Sequence, residues 1–175
     1  DLNEAVRLRP GEGEGYYARG SLFARQGQTE RAIQDFSTAL GLNYIRYEVF
    51  LARASARARL HEYESAVEDF SRAIKQRLDL AEPYKGRAMA LAALGRYRDA
   101  IEDFDLCLSR QPDYVEAYLE RALAYVGAGD PARALRDIDE ALKLDPRNKR
   151  AWPMRGAVHE RLEDDAAAIE DYTAA

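Results

Sequence analysis

The chain has 175 residues, with 26 Lys plus Arg against 31 Asp plus Glu and a net charge of −5. Hydrophobic residues at 47% and charged residues at 33% describe a soluble helical protein rather than a disordered one. The acidic balance argues against a nucleic-acid reader, which needs a basic face for phosphate, and no apolar run is long enough to cross a bilayer.

Taken in chain order, residues 1–9 read as the last turns of a helix that ends at Pro10. The following Gly11-Glu12-Gly13-Glu14-Gly15 stretch has no strand before it and carries acid that repels phosphate, so it reads as a flexible entry to the next helix. That helix carries Tyr16 and, four residues on, Gly20; a second helix follows with Ala32, Phe36 and Ala39 at a four-then-three spacing. This spacing puts the three on one helix face. The same order returns every 34 residues: Phe50 and Ala54, then Ala66, Phe70 and Ala73; Tyr84 and Ala88, then Ala100, Phe104 and Cys107. It continues as Tyr118 and Ala122, then Ala134, Ile138 and Ala141, and finally Trp152 and Gly156, then Ala168, Tyr172 and Ala175. Small residues are needed where two helices approach closely and leave no room for a larger side chain. Each unit is therefore expected to be a helical hairpin that buries its apolar face only against its neighbours.

This order of aromatic, Gly/Ala, Ala, Phe, Ala and Pro resembles the tetratricopeptide repeat family over the whole chain. The resemblance implies an all-α, right-handed α-solenoid of antiparallel helix pairs, a tetratricopeptide superhelix. It divides the chain into the tail of an earlier repeat (1–12), four full repeats (13–46, 47–80, 81–114, 115–148) and an incomplete fifth (149–175). Departures are local. Tyr44 and Leu78 stand where Pro10, Pro112 and Pro146 end a unit, and His61 and Glu163 stand where Gly27, Gly95 and Gly129 make the turn inside a hairpin. Both ends read as cut from a longer protein, so the lack of a leader is silent on compartment, with a soluble, cytoplasmic setting favoured. The tight Tyr-x-x-Arg-Gly/Ala spacing resembles arrays frequent in bacterial proteins.

Catalysis needs a nucleophile, a base and a stabiliser brought together once, whereas these residues repeat at every step. There is no phosphate loop, nucleophile elbow or His-Glu zinc helix, so no enzyme, no cofactor and no metal site is expected. Cys107 takes a notch that is alanine elsewhere and reads as a small buried hydrophobe. His61 and His159 lack a partner at metal-ligand spacing; His159 stands where other units have Phe23, Leu91 and Tyr125, which points to packing.

Two charged rows accompany the apolar pattern. Arg19, Arg53, Arg87, Arg121 and Arg155 each precede a first-helix notch, and Asp35, Asp69, Asp103, Asp137 and Asp171 each precede the large residue of the second helix. Their matched recurrence suggests Arg–Asp pairs that set the helix crossing, a task suited to a bidentate guanidinium. Glu14, Glu48, Glu82 and Glu116, replaced by Arg150 in the fifth copy, occupy the first turn of each first helix, where the helix dipole favours a carboxylate.

First helices line the concave groove in arrays of the resembled family. The floor then consists of Tyr17, Ser21, Leu51, Ser55, Lys85, Met89, Leu119, Leu123 and Val126, rimmed by Glu48, Glu82 and Glu116. With Leu51, Met89, Leu119, Leu123 and Val126 exposed, this would be an apolar patch wanting a partner. The Lys/Asn clamp that some members use for chaperone tails is missing. The resulting expectation is a protein-interaction scaffold binding a peptide, basic or apolar, along the groove. A regulatory or substrate-docking arm of a larger enzyme and end-to-end self-association remain the alternatives.

Overall fold

The computed structural model describes residues 2–174; Asp1, and Ala175 with its expected place at the last notch, lie outside the described residues. Among the described residues are eleven helices and no strand. They are α1 (Leu2–Leu8), α2 (Gly13–Arg25), α3 (Thr29–Gly41), α4 (Tyr47–Arg59), α5 (Tyr63–Gln76), α6 (Ala81–Ala93), α7 (Tyr97–Arg110), α8 (Val115–Gly127), α9 (Pro131–Leu144), α10 (Ala151–Arg161) and α11 (Asp165–Ala174). The result is an all-α solenoid of helix pairs. It comprises two compact units, residues 1–90 and 91–175.

In unit 1, α2 packs on α3, α4 on α5, and α3 on the following α4. Phe36 and Ala32, Ala39 and Val49 are fully buried, with Tyr16, Tyr17, Phe23 and Tyr44 packed around them. A second cluster joins Ala54, Ala66, Phe70 and Ala90. Burying one such phenylalanine removes enough apolar area from water to contribute ~1.5–3 kcal/mol. The notch at Gly20 is steric: a Cβ there would stand 2.9 Å from the Phe36 ring. In unit 2, α8 packs on α9, α10 on α11, α7 on α8 and α9 on α10. Its core holds Leu119, Ala122, Tyr125, Ala134, Ile138, Ala141, Leu142, Ala151 and Val158. The last aromatic of the series departs from its copies: Tyr172 is 43% exposed, against 0% for Phe36, Phe104 and Ile138. A following helix covers each of those three, and α11 is the last helix described.

One turn closes all five hairpins. The residue three beyond the first helix donates its N–H five positions back, as in Gln28 to Phe23 O at 2.9 Å and Glu62 to Arg57 O at 3.0 Å, and the residue before it sits in the left-handed region. This arrangement satisfies orphan carbonyls at a helix C-terminus. Gly27, Gly95 and Gly129 adopt it with φ of 74°, 74° and 82°, while His61 and Glu163 adopt it as non-glycine residues at 61° and 60°. The same closure ends α3, where Asn43 has φ 63° and Tyr44 donates to Ala39 O at 3.0 Å. That bond requires an N–H, so proline is excluded at Tyr44. At the other departure, Arg77 before Leu78 (φ −139°, ψ 88°) has the extended conformation that Gln111 and Asp145 adopt before Pro112 and Pro146.

Candidate functional site: an arginine ladder and the outward faces of the first helices

Arg19, Arg53, Arg121 and Arg155 each leave the first helix of their hairpin and grip an aspartate on the second. Arg19 Nε and Nη2 donate to the two Asp35 oxygens at 2.7 and 2.8 Å. Arg53 does the same to Asp69 at 2.7 Å for both bonds, and Arg121 to Asp137 at 2.7 Å for both. Arg155 Nη2 reaches Asp171 at 2.6 Å. The carboxylates are buried, Asp69 to 1% exposure, so these are desolvated, bidentate pairs. Hydrogen bonding to Asp35 raises the Arg19 pKa, and hydrogen bonding to Asp171 raises that of Arg155, so both stay charged at any working pH. An aromatic one helical turn back supports the guanidinium: Arg19 lies 5.5 Å from the Tyr16 ring centre, Arg121 5.6 Å from Tyr118 and Arg155 4.8 Å from Trp152.

A second arm of the ladder escaped sequence reasoning. The remaining guanidinium nitrogen, Nη1, reaches back to the preceding second helix: Arg19 to Asn3 at 3.3 Å, Arg53 to Ser37 at 3.0 Å, Arg87 to Ser71 at 2.9 Å, Arg121 to Asp105 at 2.5 Å and Arg155 to Asp139 at 2.8 Å. All five arginines thus reach back to the element before their own helix, and Arg19, Arg53, Arg121 and Arg155 close their own hairpins as well. The signal was present as Asn3, Ser37, Ser71, Asp105 and Asp139 at the 34-residue spacing, disguised because the position varies among Asn, Ser and Asp. Arg57, in the seat that Phe23 and Tyr125 hold elsewhere, adds a second cation to Asp69 at 2.7 Å, and its buried Nε has no hydrogen-bond partner.

On the first helices, the structure separates the expected floor residues by exposure. Met89 and Leu123 are exposed, at 40% and 46%. Tyr17, Ser21, Leu51, Ser55, Lys85 and Val126 are half-buried. Leu119 corrects the sequence expectation: it is 1% exposed, inside the unit 2 core with Ala122, Ala151 and Val158. Residues of α9 and α10 complete this cluster and remove Leu119 from the surface. The two serines turn inward to their own helices, Ser21 Oγ donating to Tyr17 O at 2.8 Å and Ser55 Oγ to Leu51 O at 2.9 Å. Glu82 and Glu116 are exposed and Glu48 is half-buried, each in the first turn of its helix. Arg150, at the equivalent place in the fifth copy, instead bonds Glu120 at 2.9 Å.

Cys107 is fully buried. His61 Nδ1 lies 2.7 Å from the Tyr63 hydroxyl, and the two His159 nitrogens lie 3.8 Å from Asp164 and Asp171. Among the described residues there is no cluster of three or more His, Cys, Asp or Glu able to hold a metal, and no helix is long and apolar enough to cross a membrane.

Repeated helical hairpins with notch, aromatic and ladder in register define a helical-repeat protein. The tetratricopeptide repeat profile matches residues 1–43, 51–115, 85–126 and 119–175, and the chain belongs to that family. No curated protein matches it. Among solved structures it is similar to MamA 41-end from Desulfovibrio magneticus RS-1, at 22% identity over 92% of this chain and 91% of that one, TM-score 0.86. It is similar also to YrrB, described as a TPR protein with an unusual peptide-binding site, at 16% identity over 99% and 90%, TM-score 0.81. TTC0263, a thermophilic TPR protein of Thermus thermophilus, matches at 18% identity over 92% and 88%, TM-score 0.72. At these identities the likeness shows the fold.

Proposed function

We propose that this chain is a non-catalytic scaffold that binds protein, taking a peptide segment against the outward faces of its first helices. In unit 1 that face holds Tyr17, Ser21, Leu51, Ser55, Lys85 and Met89, with Glu48 and Glu82 at its edge. In unit 2 it holds Leu123 and Val126 beside Glu116, above the buried Leu119. The observation that carries the reading is the exposure of Met89 and Leu123 at 40% and 46%, on a side that a surface helix ordinarily keeps polar. Tetratricopeptide repeat proteins bind protein or peptide partners, and YrrB is described as having a peptide-binding site. The glutamates favour a basic segment over an acidic one.

The test is affinity capture from the source lysate with the parent and with a Met89→Glu, Leu123→Glu variant of matched helical content. Leu119 is left intact because a carboxylate there would be buried. A partner held by the parent and lost by the variant is the expected result; equal capture by both overturns the reading.

A further inference from the structure

The entry to α4 differs from every other repeat junction. Because α3 closes with Asn43 in the left-handed region, Tyr44 is turned so that its ring meets that of Tyr17, with centroids 6.0 Å apart and planes at 37°. The ring of the fully buried Phe36 also lies 6.0 Å from that of Tyr17, with planes at 42°. Tyr47 and Glu48 open the next helix, α4. Burial pushes the Tyr17 phenol above its ordinary pKa, and the Glu48 carboxylate and the Tyr44 and Tyr47 phenols push it further, so all three groups bear on one hydroxyl. Glu48 is half-buried and, among the described residues, makes no hydrogen bond or ion pair.

The rings of Tyr44 and Tyr47 already hold cations of the chain itself. The Arg46 guanidinium carbon lies 4.9 Å from the Tyr44 ring centre, and that of Arg77 lies 5.1 Å from the Tyr47 ring centre. Arg77 is neutralised by Asp79 at 2.7 Å. Arg46 is exposed.

We propose that Tyr17, Tyr44, Tyr47 and Glu48 form a receptor for one cationic side chain, Lys or Arg, of the peptide that unit 1 binds; this rests on the peptide-binding reading above. The tyrosine faces supply negative quadrupole potential, and the half-buried Glu48, whose charge also acts on Arg77, supplies a countercharge. Arg46 is the internal competitor, which the incoming cation displaces from Tyr44. No other repeat has this receptor, since Leu78, Pro112 and Pro146 occupy the position of Tyr44.

The probe is the acetylated, amidated pentapeptide Gly-Ala-Arg-Ala-Gly and its twin with citrulline for arginine, which keeps the shape and removes the charge. Binding to the full chain is followed by NMR on the tyrosine ring resonances. The arginine peptide is expected to shift Tyr17, Tyr44 and Tyr47 and to bind about fivefold to tenfold more tightly than its twin, the range a partly desolvated cation–π contact supplies. Glu48→Gln is expected to erase that preference and Arg46→Ala to increase it. Opposite responses of two surface variants are not produced by unfolding. Equal binding of the two peptides, or shifts confined to other residues, overturns the receptor. If peptides bind, lose affinity on Met89→Glu, and still ignore the arginine charge, the receptor fails while the peptide-binding face stands. If the arginine preference persists with Met89→Glu, the receptor stands without that face.

Discussion

Arg53→Ala removes the most deeply buried member of the ladder. The Arg53 side chain is 10% exposed and that of Asp69 1%, and the substitution deletes both 2.7 Å bonds to the carboxylate and the 3.0 Å bond to Ser37. Removing one partner of a buried ion pair costs ~3–5 kcal/mol, because the remaining charge stays desolvated. Here Arg57 Nη1 still donates to Asp69 at 2.7 Å, which places the expected loss at the lower end, about 3 kcal/mol. For a chain of this size that corresponds to a fall in Tm of about 6–12 °C. Circular dichroism melts of the parent, Arg53→Ala and the double variant Arg53→Met, Asp69→Leu provide the assay. The double variant leaves no orphaned carboxylate and leaves Arg57 its contacts to Ser65 O and Glu62, so it is expected to lose less than the single one. An Arg53→Ala midpoint indistinguishable from the parent's would refute the claim that the ladder closes the hairpin.

Ser37→Asp is expected to strengthen the coupling between the first two hairpins by up to ~1 kcal/mol, because it gives Arg53 the acidic partner that Asp105 gives Arg121; the gain in urea midpoint should vanish when Arg53 is absent. Gly20→Ala gains ~1 kcal/mol of helix propensity but forces a Cβ to within 2.9 Å of the Phe36 ring, an overpacking cost of ~1–3 kcal/mol, so a lowered Tm is expected despite the better helix former. Asp130 caps α9 by accepting from the Arg133 N–H at 3.0 Å, and the Arg133 side chain and backbone bonds lower its pKa below 3.8. Its contribution is therefore present above the unfolded value of 3.8 and lost as pH falls through the depressed folded value; melts of Asp130→Ala should fall below the parent at neutral pH and converge with it in acid.

Helix pairing was legible because helical geometry imposes the four-then-three spacing and close approach imposes small notches; neither depends on what lies beyond the hairpin. Turn chemistry was legible for the same local reason, the three glycines marking a left-handed residue that His61 and Glu163 also adopt. Contacts between hairpins were harder. The helical face of Leu119 suggests exposure, and only the cluster it shares with residues of α9 and α10 shows why it is buried. The second arm of the ladder was hidden because Asn3, Ser37 and Asp105 share a position and a hydrogen-bonding role without sharing a residue type. The Tyr17–Tyr44 stack arises from the conformation of Asn43, which no periodic pattern reports.

Peptide docking on the outward faces of the first helices is tested most directly by selecting a phage-displayed random peptide library on the parent. Each enriched peptide is then measured against the Met89→Glu, Leu123→Glu variant. Enriched peptides that carry apolar and basic residues and lose affinity for the variant are expected. Peptides that bind parent and variant equally, with the fold of both intact, would contradict docking on these faces.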